Sequence, residues 1–199
     1  MQKENMHKLI LFILVVFPLL GQNHEISLWS RNTNLSAFPW YFYGNGKLVL
    51  DTRFNFDAEK TAGICVGKSF SKKENVTLIP EACGYLGKTN GLGPELLVMT
   101  KKGKFSSFSQ NQYVHGIGDT SFVYHWTDVQ WQVHKRVSIG ADGQFFKEVS
   151  DAPTAQFDIG PSTKIILSKH VYFKFWPAWS IGPQNVGERK VFLGLGYTW

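Results

Sequence analysis

The sequence predicts an all-β protein: a closed antiparallel up-and-down β-barrel that crosses a membrane on ten strands, with eight or twelve as the alternatives. Three observations carry this. Apolar and polar residues alternate with period two through successive segments, which puts them on opposite faces of strands. The connections alternate in chemistry: those after the second, fourth, sixth and eighth segments are short and Lys-rich, while the longest, after the seventh and ninth, carry Asp, Glu, Pro and Gly. The final stretch, Arg189 to Trp199, places Val191, Leu193, Leu195, Tyr197 and Trp199 on one face and Phe192, Gly194, Gly196 and Thr198 on the other.

Length and composition fit a single exported domain of 199 residues. Lys3 and Lys8 precede an apolar run from Leu9 to Leu20. That run is too short for a bilayer-spanning helix, which needs about 20 residues. It matches the core of a signal peptide, residues 1–21, with mature protein starting near Gln22; a retained anchor is the duller reading. The rest is rich in aromatics (15%) and Gly and low in charge (18%). A barrel needs this mixture of lipid-facing band and polar interior. The net charge of +6 does not point to nucleic acid, because the chain is exported and its Lys residues gather in turns.

The elements follow in order. Residues 22–46 read as an irregular N-terminal arm, aromatic and Pro-containing, lying at the interface or in the barrel mouth; a poorly patterned first strand is the alternative. The barrel proper is 47–199. Its first strand has Leu48, Leu50, Thr52, Phe54 and Phe56 on one face and Val49, Asp51, Arg53, Asn55 and Asp57 on the other. Strand two, 61–70, sends Ile64, Val66 and Phe70 outward and Gly63, Cys65 and Gly67 inward. Strand three, 76–87, sends Leu78, Ala82 and Leu86 outward and Glu81, Cys83 and Tyr85 inward. Gly87 to Gly91 is a strong turn, and strand four spans 93–100.

Strand five, 105–115, is polar on both faces and resists assignment. Strand six, 121–133, starts with Phe122, Tyr124 and Trp126 and ends with Val129, Trp131 and Val133, of opposite parity. A bulge near Thr127 would put both sets outward. Strand seven, 136–146, points Val137, Ile139, Ala141 and Phe145 out. Strands eight and nine span 155–167 and 171–181, and the terminal strand completes ten. No internal repeat or interdomain linker is visible.

Chemistry in the predicted lumen is a mixed charge network: Asp51, Arg53, Asp57, Glu81, Glu95, Arg136, Asp142, Asp158, Lys164 and Lys174. Buried charge is tolerated when paired and hydrogen-bonded, so mutual pairing is one reading and a polar path for a small solute the other. Ten strands leave a narrow lumen beside a wide porin channel. Cys65 and Cys83 share a parity on adjacent strands, so they form either a cross-strand disulfide or two buried thiols. Nothing in the Cys or His spacing suggests a metal, and no cofactor is expected. His125 and Asp128 lie close in sequence, but no Ser accompanies them at esterase spacing; no catalytic residue is assigned. Asn34 and Asn75 match glycosylation sequons and read as turn residues.

The aromatic terminal strand, with the many Tyr and Trp residues and paired Phe residues, resembles small outer-membrane barrels of Gram-negative bacteria, of Bacteroidota type. The resemblance covers most of 47–199 as pattern. It implies residence in the cell outer membrane, contact with its lipid, and delivery to the barrel assembly machinery through Leu193, Leu195, Tyr197 and Trp199. It implies no nucleic-acid partner. The first functional expectation is a structural or narrow small-solute transport protein. The alternatives are an envelope binding module, a lipid-modifying enzyme and a secreted lipocalin-like ligand binder.

Overall fold

The computed structural model describes residues 23–31, 38–44, 47–55, 61–72, 75–118, 121–149, 155–182 and 187–198. The expected signal peptide, Asp57 and Trp199 lie outside these. The described chain is strand and turn: β1 (Asn23–Arg31), β2 (Phe38–Gly44), β3 (Leu48–Asn55), β4 (Thr61–Lys68), β5 (Phe70–Lys72), β6 (Val76–Gly87), β7 (Gly91–Lys102), β8 (Phe105–Gly116), β9 (Ser121–His134), β10 (Val137–Val149), β11 (Ala155–Ile166), β12 (Val171–Ile181) and β13 (Arg189–Thr198).

Sequence neighbours are also spatial neighbours, and every pairing is antiparallel. β4 and β5 lie end to end on β6 in one register, with Gly67 opposite Glu81 and Phe70 opposite Leu78. Counted as one, they make an up-and-down sheet of twelve strands. The expected ten is therefore too few. The two extra strands are β1 and β2, in the stretch read as an irregular arm. β2 escaped notice because Phe38-Pro-Trp-Tyr-Phe-Tyr43 shows no polar alternation for a period of two to reveal. β1 pairs with β13, Ile26 opposite Tyr197 and Leu28 opposite Leu195. β4 pairs with both β3 and β6.

The pleat gives the sheet two unlike faces. Strand β6 alternates strictly through its middle, with Ile79, Glu81, Cys83 and Tyr85 buried and Leu78, Pro80, Ala82 and Leu86 exposed. β13 does the same, burying Lys190, Phe192, Gly194 and Gly196 and exposing Val191, Leu193, Leu195 and Tyr197. Charge is thus inside and aliphatic surface outside: Asp51 and Asp158 are 0% exposed, while Leu86 and Leu92 are 71% and 60% exposed. Side chains two or more strands apart meet on the inner face, so that face is concave. The inner face also holds apolar clusters, Val49–Ile79–Leu97 and Trp176–Ala178–Phe192. Trp176 and Phe192 stack with ring centroids 4.2 Å apart.

The expected bulge near Thr127 is absent. β9 runs in unbroken register against β8, and its one shift against β10 lies at Val137/Ser138. Without a bulge the first aromatics keep the parity of Asp128. Trp126 lies edge-on to inner-face Phe108 at 5.5 Å, and Phe122 packs against Phe146 at 5.3 Å. The price of this inversion is polar outer residues. They satisfy one another: His125 Nδ1 donates to Asn111 Oδ1 (2.8 Å), Thr127 Oγ1 donates to His125 Nε2 (3.1 Å), and Asn111 Nδ2 donates to the Leu96 carbonyl (3.1 Å). The Ser107 and Thr100 hydroxyls bond at 2.7 Å. His125 and Asp128 therefore occupy opposite faces.

Candidate functional site

The candidate site is the inner face, where three polar clusters sit among the apolar ones. The first spans β3 to β8. Arg53 Nε donates to Asp51 Oδ1 (3.1 Å) and Nη1 to Glu95 Oε2 (3.1 Å), while Nη2 bonds both carboxylates. The planar guanidinium carries enough donors to serve both acids at once. Gln112 Nε2 donates to Glu95 Oε2 at 2.7 Å and also contacts the Tyr85 hydroxyl. Cys65 and Cys83, directly paired across β4 and β6, are joined by a disulfide. Their sulfurs lie 4.0 and 3.8 Å from Glu95 Oε2. A disulfide has no S–H, so the Tyr85 hydroxyl, 3.6 Å from Cys65 Sγ, is the donor there.

Glu81 belongs to the same cluster and differs from its neighbours. It is 5% exposed, and neither carboxylate oxygen has a hydrogen-bond partner. Its side chain crosses the space above Gly67, where a Cβ would come within 2.5 Å of Glu81 Cγ. Ligand atoms of Cys65, Glu81, Cys83 and Glu95 all lie within 4.8 Å of one another. Cys and His spacing gave no hint of this group, because it forms across strands.

The second cluster joins β9, β10, β11 and β12. Lys174 Nζ lies 2.6 Å from Asp128 Oδ2 and 2.7 Å from Asp142 Oδ1. Gln130 Nε2 donates to Asp128 (2.8 Å) and to Ser162 (2.7 Å). Asp142 Oδ2 is buried without a partner. The third cluster centres on Asp158, which accepts from Ser180 (2.5 Å), Gln144 (2.7 Å), Gln156 (2.8 Å) and Lys190 (3.0 Å). The Lys164 ammonium lies 4.0 Å from the Tyr172 ring centroid.

Of the predicted lumen charges, Asp51, Arg53, Glu81, Glu95, Asp142, Asp158, Lys164 and Lys174 are on the inner face. Arg136 is not. It sits exposed in the two-residue turn between β9 and β10, because β10 begins one residue later than expected. Inner charges that were missed include Glu25 in the supposed arm, Asp128 through the supposed bulge, and Lys190. The parity of Lys190 with Phe192 and Gly194 was the available signal. Leu193, Leu195 and Tyr197 project from the outer face of β13.

No protein-family model and no curated protein sequence matches the chain. Solved structures do. The NanC porin aligns with 87% of this chain and 98% of its own, at a TM-score of 0.64 and 7% identity. The KdgM porin in complex with disordered oligogalacturonate aligns with 89% of this chain and 99% of its own, at 0.59 and 8%. OmpT, an outer-membrane protein of Vibrio cholerae, aligns at 0.53 and 9%, over 82% of this chain and 65% of its own. The chain shares the porin fold. At these identities the likeness is one of fold.

Proposed function

We propose that this chain is a twelve-stranded outer-membrane barrel of porin type, passing small solutes along a narrow lumen. The observation that carries this is the inversion of the two faces: charge is buried within and the aliphatic surface is turned out. A soluble ligand-binding barrel would do the reverse. Exposed aliphatic surface on this scale needs a non-aqueous surrounding. The pairing of β4 with both β3 and β6 supports reading the sheet as a closed barrel. The fit to the NanC and KdgM porins, over 98% and 99% of those chains, supports the class.

On this reading residues 1–21 direct export, and the outer face of β13, with Trp199, engages the barrel assembly machinery. The short connections lie on the periplasmic side. The passage is narrow because Trp176, Ile79 and Leu97 fill part of the inner face. Those same apolar clusters favour a second reading, a structural barrel without conduction. Purified protein should migrate faster on a detergent gel before heating than after, and should give small, discrete conductances in a planar bilayer. Solubility without detergent overturns the membrane assignment. A heat-modifiable protein that gives no conductance overturns the transport role and leaves the structural one.

A further inference from the structure

We propose that Glu81 and Glu95 form a cation site in the wall of the lumen, taking a hard divalent ion such as Ca2+, and that the site biases passage towards cations. The selectivity half of this rests on the porin reading; the binding half does not.

The chain as a whole is basic, at +6. The cluster around Arg53 is not. One guanidinium serves Asp51 and Glu95, leaving the Glu81 carboxylate buried among them with neither oxygen bonded. An ionised carboxylate out of water needs a close positive partner or full hydrogen bonding, and among the described residues Glu81 makes no ion pair and no hydrogen bond. Its oxygen lies within 4.8 Å of a Glu95 oxygen. Calcium holds carboxylate oxygens at about 2.3–2.6 Å, so one ion placed between them reaches both. Gly67 supplies the room in which the Glu81 stem lies.

The chemistry of the donors selects the ion. Cys65 and Cys83 are disulfide-bonded and offer no thiolate, so the available ligands are carboxylate oxygens. Oxygen-only sites suit calcium and its like over zinc or copper. In the second cluster Asp128 and Asp142 both bond the Lys174 ammonium, and Asp142 Oδ2 remains unbonded. An anionic solute entering the lumen would meet surplus carboxylate at the Glu81 cluster.

The test uses the full mature chain, refolded in detergent, with CaCl2 as probe. Calorimetric titration should show saturable binding, and Glu81→Gln should weaken it on the order of tenfold or more. Glu81→Gln should unfold no more readily than the parent when calcium is absent, because it removes an unpaired carboxylate. Reversal potentials under a KCl gradient should report cation preference, and Glu81→Lys should shift them towards chloride. Calcium titrations identical in parent and Glu81→Gln overturn the site. Anion-selective channels overturn the bias and leave the porin reading standing. Saturable, Glu81-dependent binding without any channel supports the site and overturns the porin reading.

Discussion

The hydroxyl of Tyr172 on β12 donates to Glu25 Oε1 on β1 at 2.5 Å, bridging residues 147 apart in sequence. Between them runs β13, and the ring passes over Gly196, where a Cβ would stand 2.1 Å from Tyr172 Cζ. Gly196 is therefore part of the bridge. Gly196→Val should displace the ring and cost about 1–3 kcal/mol, the range for overpacking. Tyr172→Phe keeps the packing and loses a bond to a charged acceptor, worth roughly 1.5–3 kcal/mol. Urea unfolding midpoints of the refolded protein measure both, and a midpoint unchanged in Tyr172→Phe would show that the bond contributes nothing.

Lys174 holds two carboxylates that face each other, Asp128 and Asp142, paired across β9 and β10. Lys174→Met should destabilise by about 3–5 kcal/mol, since it strands buried charge. Adding Asp128→Asn and Asp142→Asn should restore most of that loss. Midpoints of the single and triple variants decide whether charge, and not packing, is responsible.

Phe175 lies in the middle of β12 and is exposed on the outer face. Phe175→Arg should cost about 2–4 kcal/mol of folding free energy in a bilayer, the range for Arg near the midplane of a barrel. Lys135→Ala, in the exposed β9–β10 turn, should shift it by under about 0.5 kcal/mol. Folding into vesicles, followed by the heat-modifiable gel shift, compares the two. Equal effects would argue against lipid at Phe175.

The disulfide makes a simpler prediction. Alkylation without reductant should leave both Cys65 and Cys83 unlabelled by mass spectrometry. The Cys65→Ser, Cys83→Ser variant should still fold, because β4 and β6 are already paired from Thr61 to Gly67. Its loss should be at most about 3 kcal/mol, the chain-entropy value for a loop of this size (separation 18).

What the sequence revealed depended on whether each strand obeyed the rule of apolar outside and polar within. β3, β4, β6 and β13 obey it, and their faces were readable. β9 breaks it, with Phe122, Tyr124 and Trp126 turned inward and His125 and Thr127 outward, so parity alone suggested a bulge. Aromatic rings fill lumen space as well as they meet lipid, and hydroxyls are tolerated outside once bonded to one another. β2 was hidden because a run of aromatics carries no period. The charges of the site were mostly visible, while their partnerships were not. Lys190 reaches Asp158, and Arg53 reaches Glu95, across intervening strands, a relation set by the curvature of the sheet.

The ladder of Ser107, Asn111, His125 and Thr127 on the outer face has a further consequence. In a bilayer it would make the protein anisotropic about the membrane normal. Other azimuths offer mainly apolar side chains to whatever diffuses past; this one offers a cluster of dipoles. Two molecules drifting together in the leaflet would not be indifferent to how each is turned.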